Sequence, residues 1–163
     1  MHGILATTPR PPRRGFTLIE MVVTVVVIGI VAAVTIPRYS DAKTRFQADA
    51  AAKHVRSDLE LARATARFAG GETSVAFDVA ANRYSLTGVA NPDRPGAAYS
   101  VDLGDTGYAA SLVSVALGPG GTAATIRFDM HGRPDAGGSI VVQAGSLQRT
   151  LSIDAATGRI SIQ

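Results

Sequence analysis

One carboxylate, Glu20, lies near the start of an unbroken apolar run, and its placement demands a chemical reason. From Gly15 to Pro37 the chain reads GFTLIEMVVTVVVIGIVAAVTIP, with no lysine or arginine between Arg14 and Arg38. An ionised carboxylate in such surroundings costs about 2–3 kcal/mol or more, depending on depth. Two readings follow: Glu20 sits at an interface and reaches water, or it pairs with a cation created by processing or assembly. Other candidates for chemistry are few. His2 lies at the extreme N-terminus, His54 in a charged helical stretch where it reads as solvated, and His131 in a turn beside Asp129 and Asp135. That last grouping raises a metal site or an acid/base pair, against the plainer reading of an exposed polar turn. Asp102-Leu103-Gly104-Asp105-Thr106-Gly107 puts oxygen ligands in a glycine loop, but too few for a calcium loop. No G-x-S-x-G, P-loop or H-E-x-x-H string occurs. The absence of cysteine excludes disulfides, thiolate metal sites and a cysteine nucleophile. These residues predict no enzyme, no metal site and no cofactor.

The 23-residue run makes about 34 Å of α-helix at about 1.5 Å per residue. A bilayer core is about 30 Å thick, so the run can span it. Its apolar side chains go all round the helix, as a lipid-facing helix requires. The basic residues ahead of it, Arg10, Arg13 and Arg14, carry the whole charge excess. Without them the 16 basic side chains fall to 13, equal to the 13 acids. The pI of about 9.7 therefore describes a short tail, and it is poor evidence for a nucleic-acid-binding surface. An ordinary secretory signal fits badly: the run is too long, carries an acid near its start, and no A-x-A-like site follows. A plain signal anchor stays open. Arg10, Arg13 and Arg14 favour a cytoplasmic N-terminus, while Arg38, Lys43 and Arg45 beyond the span weaken that bias.

Arg13-Arg14-Gly15-Phe16-Thr17-Leu18-Ile19-Glu20 resembles the cleavage and methylation site of type IV prepilins and type II secretion pseudopilins. That pattern is a basic leader ending in Gly, then Phe-Thr-Leu-x-Glu, then an apolar helix; Pro37 falls where many of these proteins have a helix-kinking proline. The resemblance implies that a prepilin peptidase cuts after Gly15 and methylates the new amine of Phe16. It also implies that Glu20 guides assembly by pairing with the N-terminal amine of a neighbouring subunit. The charge argument agrees, because two opposite charges in an apolar core offset much of the desolvation that each alone would suffer.

Residues 38–69 predict a second, amphipathic stretch of helix. Ala48, Ala52, Val55, Leu59, Ala62 and Ala66 form an apolar stripe, with Asp49, Lys53, Arg56, Glu60, Arg63 and Arg67 one position on. The charged stripe reads as a solvated face or as a packing face for neighbouring subunits. Asp41/Arg45 and Asp49/Lys53 stand in the favourable i, i+4 order, and Gly70-Gly71 is the stop signal. Pro37 either bends one long helix or separates two. After Gly71 the pattern turns to β, with seven or eight short strands: Thr73–Val79, Arg83–Thr87, Tyr99–Leu103, Ser111–Leu117, Ala124–Asp129, Ser139–Ala144, Arg149–Asp154 and Arg159–Gln163. An antiparallel sandwich or wrapped sheet is expected, with the helix covering one face.

Phe128-Asp129-Met130-His131-Gly132-Arg133-Pro134 and Thr157-Gly158-Arg159-Ile160 resemble the globular domain of the GspH/FimT group of minor pseudopilins and minor pilins. The expected architecture is thus α+β and type IV pilin-like: a long N-terminal helix, membrane-spanning then amphipathic, packed on a C-terminal antiparallel β domain. Its parts are a cleaved leader (1–15), a membrane and filament-core helix (16–37), an amphipathic helix (38–71) and a β domain (72–163). Expected partners are prepilin peptidase, other pilin or pseudopilin subunits in a helical filament, and the inner membrane before assembly. The expected topology is single-pass, N-terminus cytoplasmic and β domain outside. Some FimT-like minor pilins bind DNA during uptake, the group's motif being a C-terminal Gly-Arg-x-Arg; here the string is Gly158-Arg159-Ile160-Ser161, with Ser161 in place of the second Arg. Residues 70–163 hold six Arg and no Lys against eight acids, so DNA binding rests on whether Arg127, Arg133, Arg149 and Arg159 gather into one patch.

Overall fold

The computed structural model describes residues 15–91, 94–105 and 107–163. The leader with Arg10, Arg13 and Arg14, and Thr106 of the glycine loop, lie outside the described residues. The chain divides into two compact units, Met1–Tyr39 and Ser40–Gln163. Helix α1 is Leu18–Ala69. Helical backbone continues through Pro37, and the division between units falls just after it.

In the first unit the part of α1 from Leu18 to Val31 leaves its apolar side chains exposed, and α1 holds an 18-residue stretch long and apolar enough to cross a membrane. Thr24 and Thr35 of α1 cause no conflict with that character. Thr24 Oγ1 donates to the Glu20 carbonyl at 2.6 Å and Thr35 Oγ1 to the Val31 carbonyl at 2.8 Å, so each hydroxyl is satisfied within the helix.

In the second unit α1 is Ala-rich, which favours helix, and its stripe supplies the core. Ala48, Ala52, Val55, Leu59, Ala62 and Ala66 are all fully buried. Fully burying a side chain the size of Leu59 stabilises by about 1.5–3 kcal/mol. The alanines contribute less area but let the sheets approach the helix backbone, where the Thr73 hydroxyl donates to the Ala62 carbonyl at 2.8 Å. The helix ends as the glycine pair requires. Gly70 takes φ +63°, and the Gly71 N–H returns to the Ala66 carbonyl at 3.2 Å.

Eight strands follow: β1 Thr73–Asp78, β2 Arg83–Thr87, β3 Tyr99–Asp102, β4 Ser111–Leu117, β5 Thr125–Phe128, β6 Gly138–Ala144, β7 Leu147–Ile153 and β8 Ile160–Ile162. They form two four-stranded sheets, β3-β2-β1-β5 and β4-β6-β7-β8, with every pairing antiparallel. The chain changes sheet three times, because β5 returns to the first sheet after β4 has opened the second. Alternating residues of both sheets, among them Val75, Tyr84, Ile126, Ile140 and Leu151, join the helix stripe in one buried cluster.

The strand positions agree with the periodicity, and the ends differ by at most two residues. Val79 is outside β1 and exposed, while Leu103 is outside β3 yet fully buried. β7 begins at Leu147 rather than Arg149, because Leu147 pairs with Ala144 across a tight turn. Asn82 fixes the turn between β1 and β2 to the second sheet: its amide donates to the Ala110 carbonyl at 3.0 Å and its Oδ1 accepts the Leu112 N–H at 2.7 Å.

Candidate functional site

Gly15, Phe16 and Thr17 are non-helical, and α1 begins immediately after them. Thr17 is the N-cap. Its Oγ1 accepts the Glu20 N–H at 3.3 Å, and Glu20 Oε2 accepts the Thr17 N–H at 3.5 Å, the reciprocal pattern of a capping box. The Thr17 carbonyl accepts the Met21 N–H at 3.2 Å, the first bond of the helical ladder. Phe16 is 78% exposed. The three residues that the prepilin pattern marks, Gly15, Phe16 and Glu20, thus lie within one helical turn of a helix start. Sequence reasoning missed Thr17, although Thr-x-x-Glu ahead of an apolar run is a readable signal.

The second constellation centres on Asp58, a carboxylate on the buried stripe that the sequence reading passed over. Only 4% exposed, it accepts the Tyr84 hydroxyl at 2.6 Å and the Tyr99 hydroxyl at 2.9 Å. These phenols come from neighbouring strands β2 and β3, so one carboxylate ties the helix to two strands. Burial pushes the Tyr84 phenol well above its ordinary value, and the Asp58 charge adds to that, so Tyr84 remains a donor at any physiological pH. His54 Nε2 lies 3.6 Å from Asp58, and its ring stacks on Tyr108 at 4.8 Å. The expectation of a solvated His54 is therefore corrected: one helical turn sets it over Asp58, and the loop after β3 covers it with Tyr108. A cleft of about 650 Å³ opens beside this group, lined in part by His54, Arg94, Tyr99, Asp102 and Tyr108.

The third constellation explains the two C-terminal turn motifs. Asp129 Oδ1 accepts the backbone N–H of Arg133 at 2.8 Å and of His131 at 2.9 Å. Asp154 Oδ1 accepts the Thr157 N–H at 2.7 Å, the Thr157 hydroxyl at 2.8 Å and the Ala156 N–H at 3.0 Å. These bonds hold both carboxyls below the ordinary aspartate value, led by the Arg133 amide for Asp129 and the Thr157 amide for Asp154. Asp135 Oδ1 takes the Arg127 N–H at 3.0 Å. The carboxylates flanking His131 each accept backbone N–H groups, and no group of three or more metal-ligating side chains gathers among the described residues.

Both turns dock on Arg63 of α1. Its Nε donates to the Gly132 carbonyl and its Nη2 to the Thr157 carbonyl, each at 2.9 Å. Gly132 needs to be glycine: it adopts φ +73°, and a Cβ there would lie 2.5 Å from Arg67 Cδ. The charged stripe of α1 is therefore partly a docking face of this same domain, a use that neither sequence reading anticipated.

Of the four arginines considered for DNA, Arg133 and Arg159 lie in the two adjoining turns that dock on Arg63. Arg127 belongs to β5 of the first sheet and faces Glu72 at 3.6 Å. Arg149, on β7 of the second sheet, donates Nε to Asp49 Oδ1 at 2.6 Å. Asp49 thus takes Arg149 rather than Lys53, contrary to the i, i+4 expectation. Arg133 lies in the turn on Arg63, and Arg159 precedes β8; both are exposed.

Comparison with known proteins identifies what these constellations belong to. Residues 10–36 match the prokaryotic N-terminal methylation motif, and residues 51–157 match type II transport protein GspH. The chain belongs to the GspH family. Two curated relatives, both fimbrial proteins of Pseudomonas aeruginosa, are 43% identical over 60 residues, which is 37% of this chain. The match spans 38% of those relatives' length. Among solved structures, the type IV minor pilin FimU of P. aeruginosa superposes with a TM-score of 0.54 at 20% identity, over 73% of this chain and 90% of that one. The minor pseudopilin EpsH from the type 2 secretion system of Vibrio cholerae gives 0.52 at 15% identity, over 72% and 96%. At such identities the likeness is one of fold, and the fold is type IV pilin-like. The GspH match covers Asp58, Arg63, Gly132 and Thr157, and the methylation motif covers Gly15 to Glu20.

Proposed function

We propose that this GspH-family chain is a structural minor subunit of a type IV pilus or a type II secretion filament. It is made as a precursor, cut after Gly15 by prepilin peptidase, and N-methylated at Phe16. The observation that carries this reading is the joining, in one chain, of a methylation motif at a capped helix start with a GspH β domain. The apolar side chains of α1 that stand exposed in the first unit need a bilayer before assembly and neighbouring subunits after it. Glu20 directs assembly, its carboxylate meeting the Phe16 amine of a neighbour once cleavage has made that amine. Pro37 serves as the bend between the membrane half and the amphipathic half of α1. The N-terminus faces the cytoplasm and the β domain lies outside. Prepilin peptidase and other pilin or pseudopilin subunits are its partners. The role is structural, and no residue is assigned to catalysis or to a cofactor.

The test is the intact mass of the protein purified from membranes of cells with and without prepilin peptidase. Loss of residues 1–15 together with gain of one methyl group, only when the peptidase is present, is the expected result. An uncut chain in both strains would overturn the reading and leave a signal-anchored domain. Cleavage at a later position would mean an ordinary secreted protein.

A further inference from the structure

We propose that Thr17 is a positioning residue for leader removal: its cap keeps the Gly15–Phe16 bond outside the helix, where a peptidase can bind it. This inference rests on the processing reading above. Hydrolysis adds water across that amide, leaving a carboxylate on Gly15 and an amine on Phe16. The Gly15 carbonyl carbon must therefore be open to attack, and the backbone around it must fit an extended binding cleft.

A helix continued one turn toward the N-terminus would close both routes. The Ile19 N–H would bond the Gly15 carbonyl, and the Glu20 N–H would bond the Phe16 carbonyl. In an apolar medium that continuation is favoured, because it satisfies backbone groups that lipid cannot. Thr17 intercepts it. Its Oγ1 accepts the Glu20 N–H at 3.3 Å, the very donor that would otherwise hold Phe16, and Glu20 Oε2 occupies the Thr17 N–H at 3.5 Å. The ladder accordingly begins at the Thr17 carbonyl, which receives the Met21 N–H, and leaves Gly15 and Phe16 before it. Among the described residues, no atom beyond the adjoining chain lies within 4 Å of where a Cβ on Gly15 would stand. Glu20 thereby has a duty before cleavage, as one half of the cap, distinct from its duty in assembly.

The experiment is the initial rate of cleavage of the full-length precursor, in lipid vesicles, by purified prepilin peptidase. Thr17→Val keeps the shape of the side chain and removes the acceptor; its kcat/KM is expected to fall about fivefold, the size of a lost N-cap. Thr17→Ser and Thr17→Asn restore acceptors of different shape and are expected to return the rate to within about twofold of the wild type. Cleavage of Thr17→Val at the wild-type rate would overturn the proposal. So would a slow Thr17→Asn variant, since that pattern means the peptidase reads the threonine directly. A wild-type chain that stays uncut overturns the processing reading itself, and this inference with it.

Discussion

The two units use the same kinds of residue in opposite ways. In the first, Val26 is 54% exposed and valines, isoleucines and leucines face outward on every side. In the second, Val55 of the same helix is fully buried, with Leu59 and five alanines beside it. The distribution of charge accounts for the difference. The second stretch carries charged residues beside its apolar stripe, so water and core each receive a face. From Leu18 to Pro37 the first has Glu20 alone, so no face of that stretch is suited to water. The second unit encloses a core, and the first presents apolar surface from Leu18 to Val31.

Each unit has one conspicuous carboxylate, and substituting them is the sharpest way to break the comparison. Glu20→Ala should reduce incorporation into filaments to background, measured by co-purification with neighbouring subunits, while the unfolding temperature stays within about 2 °C of the parent. A lowered unfolding temperature would mean that the first unit supports the second. Asp58→Ala should do the reverse. It leaves two buried phenols without their acceptor and is expected to cost about 3–4 kcal/mol in urea unfolding of the full-length protein in detergent. Asp58→Asn retains an acceptor oxygen and should cost less than half of that.

Smaller effects refine the second unit. Arg63→Met removes two bonds from a charged donor to turn carbonyls and should cost about 2 kcal/mol by the same assay. Arg149→Met loses a part-exposed pair with Asp49, so about 0.5–1 kcal/mol is expected. The pH dependence should follow Asp129 and Asp154. Their folded values lie below those of the unfolded chain, so as pH falls the unfolded chain takes up protons first. Stability from these groups is present above about pH 4 and is lost progressively below it. The double variant Asp129→Asn/Asp154→Asn should flatten that acid limb in unfolding temperature measured from pH 6 to 3.

Much of this was legible locally. The apolar stripe from Ala48 to Ala66 followed from a helical period, and the strands from alternation and glycine-rich turns. The cap at Thr17 was equally local and readable. Asp58 was not. An acid on an apolar stripe looks like an interruption of the pattern until Tyr84 and Tyr99 are known to converge on it. Arg63 looked like a solvated cation, because nothing near it in sequence hints that Gly132 and Thr157 will offer it their carbonyls.

The helix, the positions of the strands, the isolation of Glu20 and the two family motifs are all readable from the order of residues. These depend on composition and on periods of a few residues, which any stretch of chain carries within itself. Tertiary structure alone decided the partners. Asp58 meets phenols 26 and 41 residues away, Arg63 meets carbonyls 69 and 94 away, and Asp49 meets an arginine 100 away. Such contacts depend on strand register, on the order of strands in two sheets and on where the loops close. None of these is set by neighbouring residues, because the long closures that bring such groups together are stabilised only once the whole core has formed.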